Sequence, residues 1–370
     1  MKPTAASKTA TENNSYYIDI EPVSKSRVGD VDLDNPGFGT VFSDHMAVIS
    51  YSDGKWQTPR IVPFAEFKCS PSLISLHYGQ TVFEGMKAFK NDRGEVTVFR
   101  PDKHIERLNR SSRRLCIPEV HPEMMLQTLR VLIRTDRDWV PTKRGNSLYI
   151  RPLIFGSDNF LGVRPAHNYT CLIMTSPVGL YYKRGLKPVR LATDRRYIRA
   201  ALGGAGDVKT PGNYGVTLYP AREAQESGFD QILWLDAKEQ RYVEEVGTMN
   251  IFFKMKDRLI TPPAIGTILK GVTRDSVIRL AQSWDIPVEE RSISIDEVFT
   301  LYESGELEEI FGSGTAAVIT PVGEIVHEGR SIKLDEENAS PFTQQLYDEI
   351  TGIQYGERED AFGWNFRVTP

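Results

Sequence analysis

An α/β (α+β) chain of two domains is what this sequence predicts, and three observations carry that reading. Its 370 residues exceed what one hydrophobic core usually holds. Strand-like and helix-like segments are interspersed without the regular β-α-β rhythm of a doubly wound sheet, which leaves two layers or barrel-like halves. Proline and glycine cluster between Ser176 and Pro188, as at many domain boundaries. The expected division is a disordered tail over 1–15, a smaller N-terminal α/β domain over 16–176, a linker over 177–187 and a larger C-terminal domain over 188–370.

Along the first part, Met46–Tyr51 and Gly94–Phe99 read as strands. His104–Arg114 reads as a helix, with Ile105 and Leu108 on one side and arginines on the other. Pro122–Trp139 reads as a second, with Met125, Leu129, Leu132 and Ile133 at helical spacing. Ser147–Phe155 and Asn168–Thr175 are expected strands. Beyond the linker, Pro188–Thr193 is strand-like and Val216–Ser227 helix-like. Gln231–Leu235, Asn250–Lys254 and Arg258–Ile260 follow as strands, and Val272–Trp284 as a helix. Glu309–Phe311 and Ala316–Ile319 are strands, and Gln344–Ile353 closes the chain as a helix.

Composition excludes several classes. The net charge is -4 with no basic run, which argues against a nucleic-acid face. No stretch approaches the ~18 apolar residues of a membrane span. The N-terminus is polar and lacks an apolar signal core, so the expected location is cytoplasmic. Three widely spaced cysteines, Cys69, Cys116 and Cys171, suit a reducing compartment, and Cys171 lies in an apolar run that predicts a core thiol. The six histidines are scattered without ligand spacing, so no metal site is expected.

The segment Gly203–Gly215 carries the strongest chemical signal. Five glycines and Pro211 surround a single lysine, Lys209, between a strand and a helix. An amine in a backbone that bends sharply suits covalent chemistry on a carbonyl. An ordinary solvated lysine in a surface loop is the alternative, and the loop alone does not decide. Glu244-Glu245-Val-Gly precedes a strand, and a carboxylate there is either a partner for a protonated ring nitrogen or part of a solvated turn. Lys270–Asp275 opens a helix and offers amides and a hydroxyl for phosphate, or else a routine N-cap by Thr273. Phe311–Ala316 is a small-residue turn able to form an anion nest. Tyr149 and Arg151 share one strand face, as a carboxylate-recognising pair or a structural ion pair.

Taken together, these segments resemble the branched-chain amino-acid aminotransferases of the pyridoxal-phosphate fold-type IV class. The similarity runs from about Gly37 to Gly356. It rests on Phe38–Met46, His77-Tyr-Gly, Val82-Phe-Glu-Gly85, Val98-Phe-Arg-Pro101, Tyr149-Ile-Arg-Pro152, Lys209–Gly215, Glu245–Phe252, Leu269–Arg274 and Ser313–Ala316, in that order. The resemblance implies a small N-terminal domain and a larger cofactor-binding domain with a barrel-like sheet. It implies transamination of leucine, isoleucine and valine with 2-oxoglutarate, giving branched 2-oxo acids and L-glutamate by a ping-pong mechanism.

The roles implied by resemblance are these. Lys209 holds pyridoxal 5′-phosphate as an internal aldimine and carries the proton. Glu245 pairs with the ring nitrogen and Tyr214 with the ring hydroxyl. Arg107, Val272, Thr273 and Thr315 bind phosphate. Phe38, Phe83, Tyr149, Arg151, Tyr181, Thr248 and Ala316 contact substrate, and Tyr78 reaches the neighbouring subunit's pocket in a homodimer. Two departures stand out. Relatives commonly have glycine at the Pro211 position, so the loop is expected to be stiffer here. Where some animal relatives carry a C-x-x-C switch, this chain has Ala317 and Thr320. Related fold-type IV enzymes, acting on D-amino acids or aminodeoxychorismate, and a non-catalytic scaffold are the rival readings. The Tyr149-Ile-Arg-Pro and Glu-Val-Gly-Thr-Met-Asn segments oppose the first pair, and intact Lys209, Tyr214 and Glu245 oppose the second.

Overall fold

A computed structural model describes residues 16–179, 187–334 and 341–368. The expected tail over 1–15, most of the linker and Tyr181 lie outside the described residues.

The first half is built on a mixed sheet. Its central strands are His45–Ser52, Tyr169–Val178, Ser147–Gly156, Met86–Lys90 and Val96–Phe99, antiparallel in that order. Two helices cover one face. Pro101–Arg114 begins three residues before the expected His104, because Pro101 supplies a preset helical φ at a position where its missing N–H costs nothing. Pro122–Thr135 stops short of the expected Trp139, and Arg137–Trp139 is a separate 3-10 turn. The break falls at Asp136, whose carboxylate turns inward to accept His45 N at 2.8 Å and contacts His45 Nδ1 at 2.6 Å. Ile105, Leu108, Met125, Leu129, Leu132 and Ile133 form one core with the sheet.

The second half closes on itself. Val189–Ala192, Gln231–Leu235, Val243–Val246, Met249–Met255, Leu307–Gly314 and Val318–His327 pair in a ring of six strands, a small barrel. Alternating apolar residues fill it, including Leu191, Leu233, Ile251, Phe253 and Ile310. The helix Ile295–Glu303, absent from the sequence reading, starts at Ser294, whose Oγ accepts Glu297 N at 3.1 Å. Ala316, expected in a strand, lies in the turn before Val318.

A third apolar cluster joins the halves. Phe89 and Phe99 from the first sheet meet Phe252 and Phe311 of the barrel, with Val277, Phe342 and Leu346 from helices Val272–Ser283 and Pro341–Gln354. Asn365–Arg367, near the chain's C-terminal end, pairs back onto Val96–Phe99 of the first sheet. Glu309, in the barrel, accepts Phe342 N and Thr343 N at 2.9 Å each and Thr343 Oγ1 at 2.7 Å. A buried carboxylate thus satisfies the positive end of the closing helix. Glu309→Ala is expected to cost about 2 kcal/mol and to speed amide exchange over residues 342–346 ahead of the barrel. Denaturant unfolding with residue-resolved hydrogen exchange checks both.

Candidate active site

The lysine loop is held from both halves. Val208 is buried in the core of the first half, next to Lys209. Lys209 N donates to Ser111 Oγ at 3.1 Å and Lys209 O accepts Phe83 N at 3.0 Å, so its main chain is clamped by the first half. Asn213 Nδ2 stitches the loop through Ala205 O and Val208 O at 2.6 and 2.7 Å. At Gly206 an added Cβ would lie 2.5 Å from Ala200 Cβ and Thr267 O, which only glycine avoids. Pro211 sits at φ -54, and its carbonyl accepts Tyr214 N and Gly215 N at 3.0 Å, so the proline starts a short helix without strain. The Lys209 Nζ donates to Tyr214 Oη at 2.8 Å and lies 4.7 Å from the Phe83 ring centre.

Lys209 opens into a cavity of about 260 Å³ at the seam between the halves. Of the predicted site residues, Phe38, Phe83, Arg107, Tyr149, Arg151, Tyr214, Thr248, Val272, Thr273, Thr315 and Ala316 line it with Lys209. Glu245 does not. It lines a small adjoining cavity that shares Tyr214, Thr248 and Leu269 with the main one, because its strand turns the side chain behind the loop. Tyr78 lies apart on the surface, half exposed, with its Oη donating to Leu161 O at 2.5 Å. Tyr181 falls outside the described residues.

At one end of the cavity, Arg107 is bound rigidly. Glu84, fully buried, accepts Arg107 Nε at 2.6 Å and Nη2 at 2.8 Å, and contacts His104 Nδ1 at 2.8 Å. Burial acts to raise the Glu84 carboxyl, but Arg107 and His104 together hold it well below the usual carboxylate range. Arg107 Nη1 also donates to Lys270 O at 3.0 Å, which ties it to the start of helix Val272–Ser283. Gly271, not Thr273, is the N-cap of that helix, and no side chain caps it. An added Cβ at Gly271 would come within 2.0 Å of Asn250 Oδ1, so the main chain approaches the site closely only as glycine. Uncapped amides beside an arginine make an anion end.

Behind the loop, Glu245 Oε1 accepts Leu269 N at 3.0 Å and Asn250 Nδ2 at 3.2 Å, and Oε2 lies 3.0 Å from Arg199 Nε. Burial pushes this carboxyl up to about 7, against the pull of Arg199. A carboxylate so desolvated is stabilised by a further cation beside it. The remaining wall is aromatic: Phe38 packs on Tyr149 and Phe83 on Tyr214, with ring centres 5.6 and 5.0 Å apart. Arg151 Nη2 donates to Tyr149 Oη at 3.0 Å, so the two share one strand face as read from their spacing. Arg151 Nε is buried and has no hydrogen-bond partner among the described residues.

Sequence reasoning assigned no role to Glu84, Ser111, Arg199 or Asn250. Glu84 and Asn250 stood inside matched segments; Ser111 and Arg199 carry no local signal. Cys171 is buried as expected, and burial pushes its thiol up to about 12. Among the described residues no cluster of His, Cys, Asp or Glu is arranged to hold a metal, and no helix is long and apolar enough to cross a membrane.

The residues brought together at the seam are thus an amine, an anion end and a buried carboxylate behind the amine. The family model for Amino-transferase class IV matches residues 81–325. Branched-chain-amino-acid aminotransferase 2 of Bacillus subtilis (strain 168) is 48% identical over 332 residues, 90% of this chain and 92% of that protein. The branched-chain aminotransferase of Thermoproteus uzoniensis, solved with norvaline, matches with a TM-score of 0.73 at 30% identity, over 88% of this chain and 100% of that one. The branched-chain amino acid aminotransferase of T.th., solved with pyridoxamine 5′-phosphate, matches with a TM-score of 0.69 at 29% identity, over 87% and 98% of the two chains. The chain belongs to the class IV aminotransferases, among the branched-chain-amino-acid enzymes of that family.

The Glu245 environment gives a pH signature to the cofactor-free chain. Its folded pKa lies above the model-peptide value, so its contribution to stability is fully present below about pH 4.5 and is lost as pH rises through about 7. Glu245→Gln removes that dependence. The thermal midpoint of the wild-type apoprotein, taken relative to Glu245→Gln, is expected to fall between these pH values, and a paired pH series of melting curves measures it.

Proposed function

We propose that this chain transfers the amino group of leucine, isoleucine and valine to 2-oxoglutarate with pyridoxal 5′-phosphate, in two ping-pong half-reactions. The observation that carries it is the placement of Lys209 Nζ, 2.8 Å from Tyr214 Oη, between the Arg107 end and the Glu245 side of one seam. The residues present fit the cofactor's three recognisable groups. Lys209 would hold its aldehyde covalently and Tyr214 its ring hydroxyl. Glu245 would meet the ring nitrogen, regaining the charge that burial disfavours. Arg107, Val272, Thr273 and Thr315 would take the phosphate. Bound there, pyridoxal phosphate supplies the electron sink for negative charge at the substrate Cα.

The chain's own groups do the rest. Lys209 Nζ would take the proton from the substrate Cα and later return a proton, with Tyr214 Oη 2.8 Å away keeping the amine within reach. Phe38, Phe83, Tyr149, Thr248, Ala316 and Tyr181 would form the substrate wall. That wall favours branched apolar side chains, while Arg151 seats the distal carboxylate of glutamate. The two-domain division with the larger cofactor-binding part, and a cytoplasmic location, belong to the same reading.

A homodimer completes it. Leu76, Tyr78, Leu161 and Val163 are each exposed, Val163 at 85%, Tyr78 Oη donates to Leu161 O, and Tyr78 does not line the cavity of its own chain. A second copy covering these residues would receive Tyr78 in its pocket.

Two measurements test the proposal. The purified wild type is expected to absorb near ~400 nm, and Lys209→Ala to lose both that band and leucine-to-2-oxoglutarate turnover. Near-normal turnover of the variant sinks the assignment. For the dimer, Lys209→Ala and Tyr78→Leu chains are each expected to be nearly inactive. Co-expressed, they should recover roughly a quarter of wild-type activity, because half of the dimers are mixed and each mixed dimer has one intact site. No recovery places Tyr78 in its own chain's site or in none.

A further inference from the structure

The hairpin loop that carries Thr315 and Ala316 is unusual in three ways. Thr315, Ala316 and Ala317 join the paired residues Gly314 and Val318, and Val318, a β-branched residue, sits at φ +62. Such a conformation costs free energy and persists only where surroundings over-determine it. The main-chain N–H groups of all three loop residues find no acceptor among the described residues, although the loop lines the cavity. The apex carbonyl, Ala316 O, is held from the other half of the molecule by Lys87 Nζ at 2.7 Å.

Lys87 is a buried cation with an incomplete set of partners. It lies on Met86–Lys90, paired with Tyr149, and is 7% exposed. Its neighbours on the same strand face are Gly85, which lines the cavity, and Phe89, which belongs to the apolar cluster between the halves. Ala316 O is the one hydrogen-bond acceptor it has among the described residues, and no acidic side chain of those residues pairs with it. Burial pushes its amine down to about 8, which leaves it mainly protonated at neutral pH.

The direction of the peptide follows from these contacts. Lys87 stands behind the loop and does not line the cavity. In a trans peptide the carbonyl and the amide N–H point opposite ways. With Ala316 O drawn toward Lys87, the Ala317 N–H of the same peptide turns toward the cavity. A cation donating to the carbonyl also polarises that peptide, which strengthens its N–H as a donor. We propose that Lys87 is a positioning residue for the substrate carboxylate: it latches the strained loop across the two halves and aims and polarises the Ala317 amide at the carboxylate shared by amino-acid and oxo-acid substrates. The proposal rests on the function proposed above and adds to it the residue that shapes the carboxylate end.

The test uses the full chain loaded with pyridoxal phosphate. Wild type, Lys87→Met and Lys87→Arg are titrated with 4-methylvalerate, the deaminated skeleton of leucine, and with its neutral amide, 4-methylpentanamide, following the cofactor absorbance. Cofactor content is measured separately. Lys87→Met is expected to keep its cofactor, lose about tenfold in affinity for 4-methylvalerate and bind the amide as wild type does. Its KM for leucine should rise in parallel while kcat changes by less than about threefold. Lys87→Arg should recover most of the loss. Unchanged affinity for the carboxylate in Lys87→Met, or an equal loss for the amide, overturns the proposal. If Lys87→Met does not accumulate, Lys87→Arg must bind 4-methylvalerate several-fold more tightly than Lys87→Gln, and equality overturns it. A wild type that neither loads cofactor nor turns over leucine overturns the functional reading itself, which is a different result.

Discussion

The buried carboxylate of Glu84 is the interaction on which the site depends. Taking a carboxylate and a guanidinium out of water is costly unless their geometry and hydrogen bonds are nearly complete. Here two bonds from Arg107, the His104 contact and the Gly85 N–H at 3.2 Å complete them. Glu84 N in turn donates to Pro152 O at 2.9 Å, which ties the arrangement to the strand bearing Tyr149 and Arg151. Removing one partner of such a pair typically costs about 3–5 kcal/mol, because the other charge stays buried alone. The helix Pro101–Arg114 therefore has one position, and Arg107 has one orientation.

From that fixed point the site is assembled across a seam. The first half supplies the clamp on Lys209 through Phe83, Ser111 and the core around Val208. The barrel supplies Glu245, the start of helix Val272–Ser283 and the hairpin loop at Thr315. Arg100 strengthens the seam, donating from Nη1 to Ser276 Oγ at 2.8 Å and from Nη2 to Asp275 Oδ2 at 2.5 Å, beside the helix that carries Arg107. The aromatic cluster of Phe89, Phe99, Phe252 and Phe311 excludes water alongside. A closed barrel and a packed seam suit the proposed reaction, in which one proton moves between fixed atoms and small displacements of the amine are expensive in rate.

How much of this was legible in the sequence differs by residue type. Lys209, Tyr214, Tyr149 and Arg151 sit in short segments whose spacing already limits what they touch, and the structure brings them to one cavity. Glu245 was legible as a carboxylate before a strand, but not its distance behind the loop. The expected helix through Trp139 failed at Asp136 because a long-range bond to His45 outweighed continued helical periodicity. Thr273 lost the cap to Gly271 because the main chain had to pass close to Asn250. Arg199 and Lys87 left no trace in any motif: each works through a partner far away in the chain, Glu245 for one and Ala316 for the other.

Local spacing and composition by themselves determined the class of fold, the order of most strands and helices, and the segments able to do amine and anion chemistry, while the roles of Arg107 and Tyr214 came only with the family resemblance. They did so because hydrophobic period, turn chemistry and motif spacing are properties of neighbouring residues. Only the tertiary structure decided which six strands of the second half pair into the expected barrel, that Glu84 rather than solvent holds Arg107, and that a buried lysine stands behind the Ala316 carbonyl. Those outcomes depend on burial and on contacts between residues tens to hundreds of positions apart. The worth of a charge or a hydrogen bond is set by its surroundings, which exist only once the chain has folded.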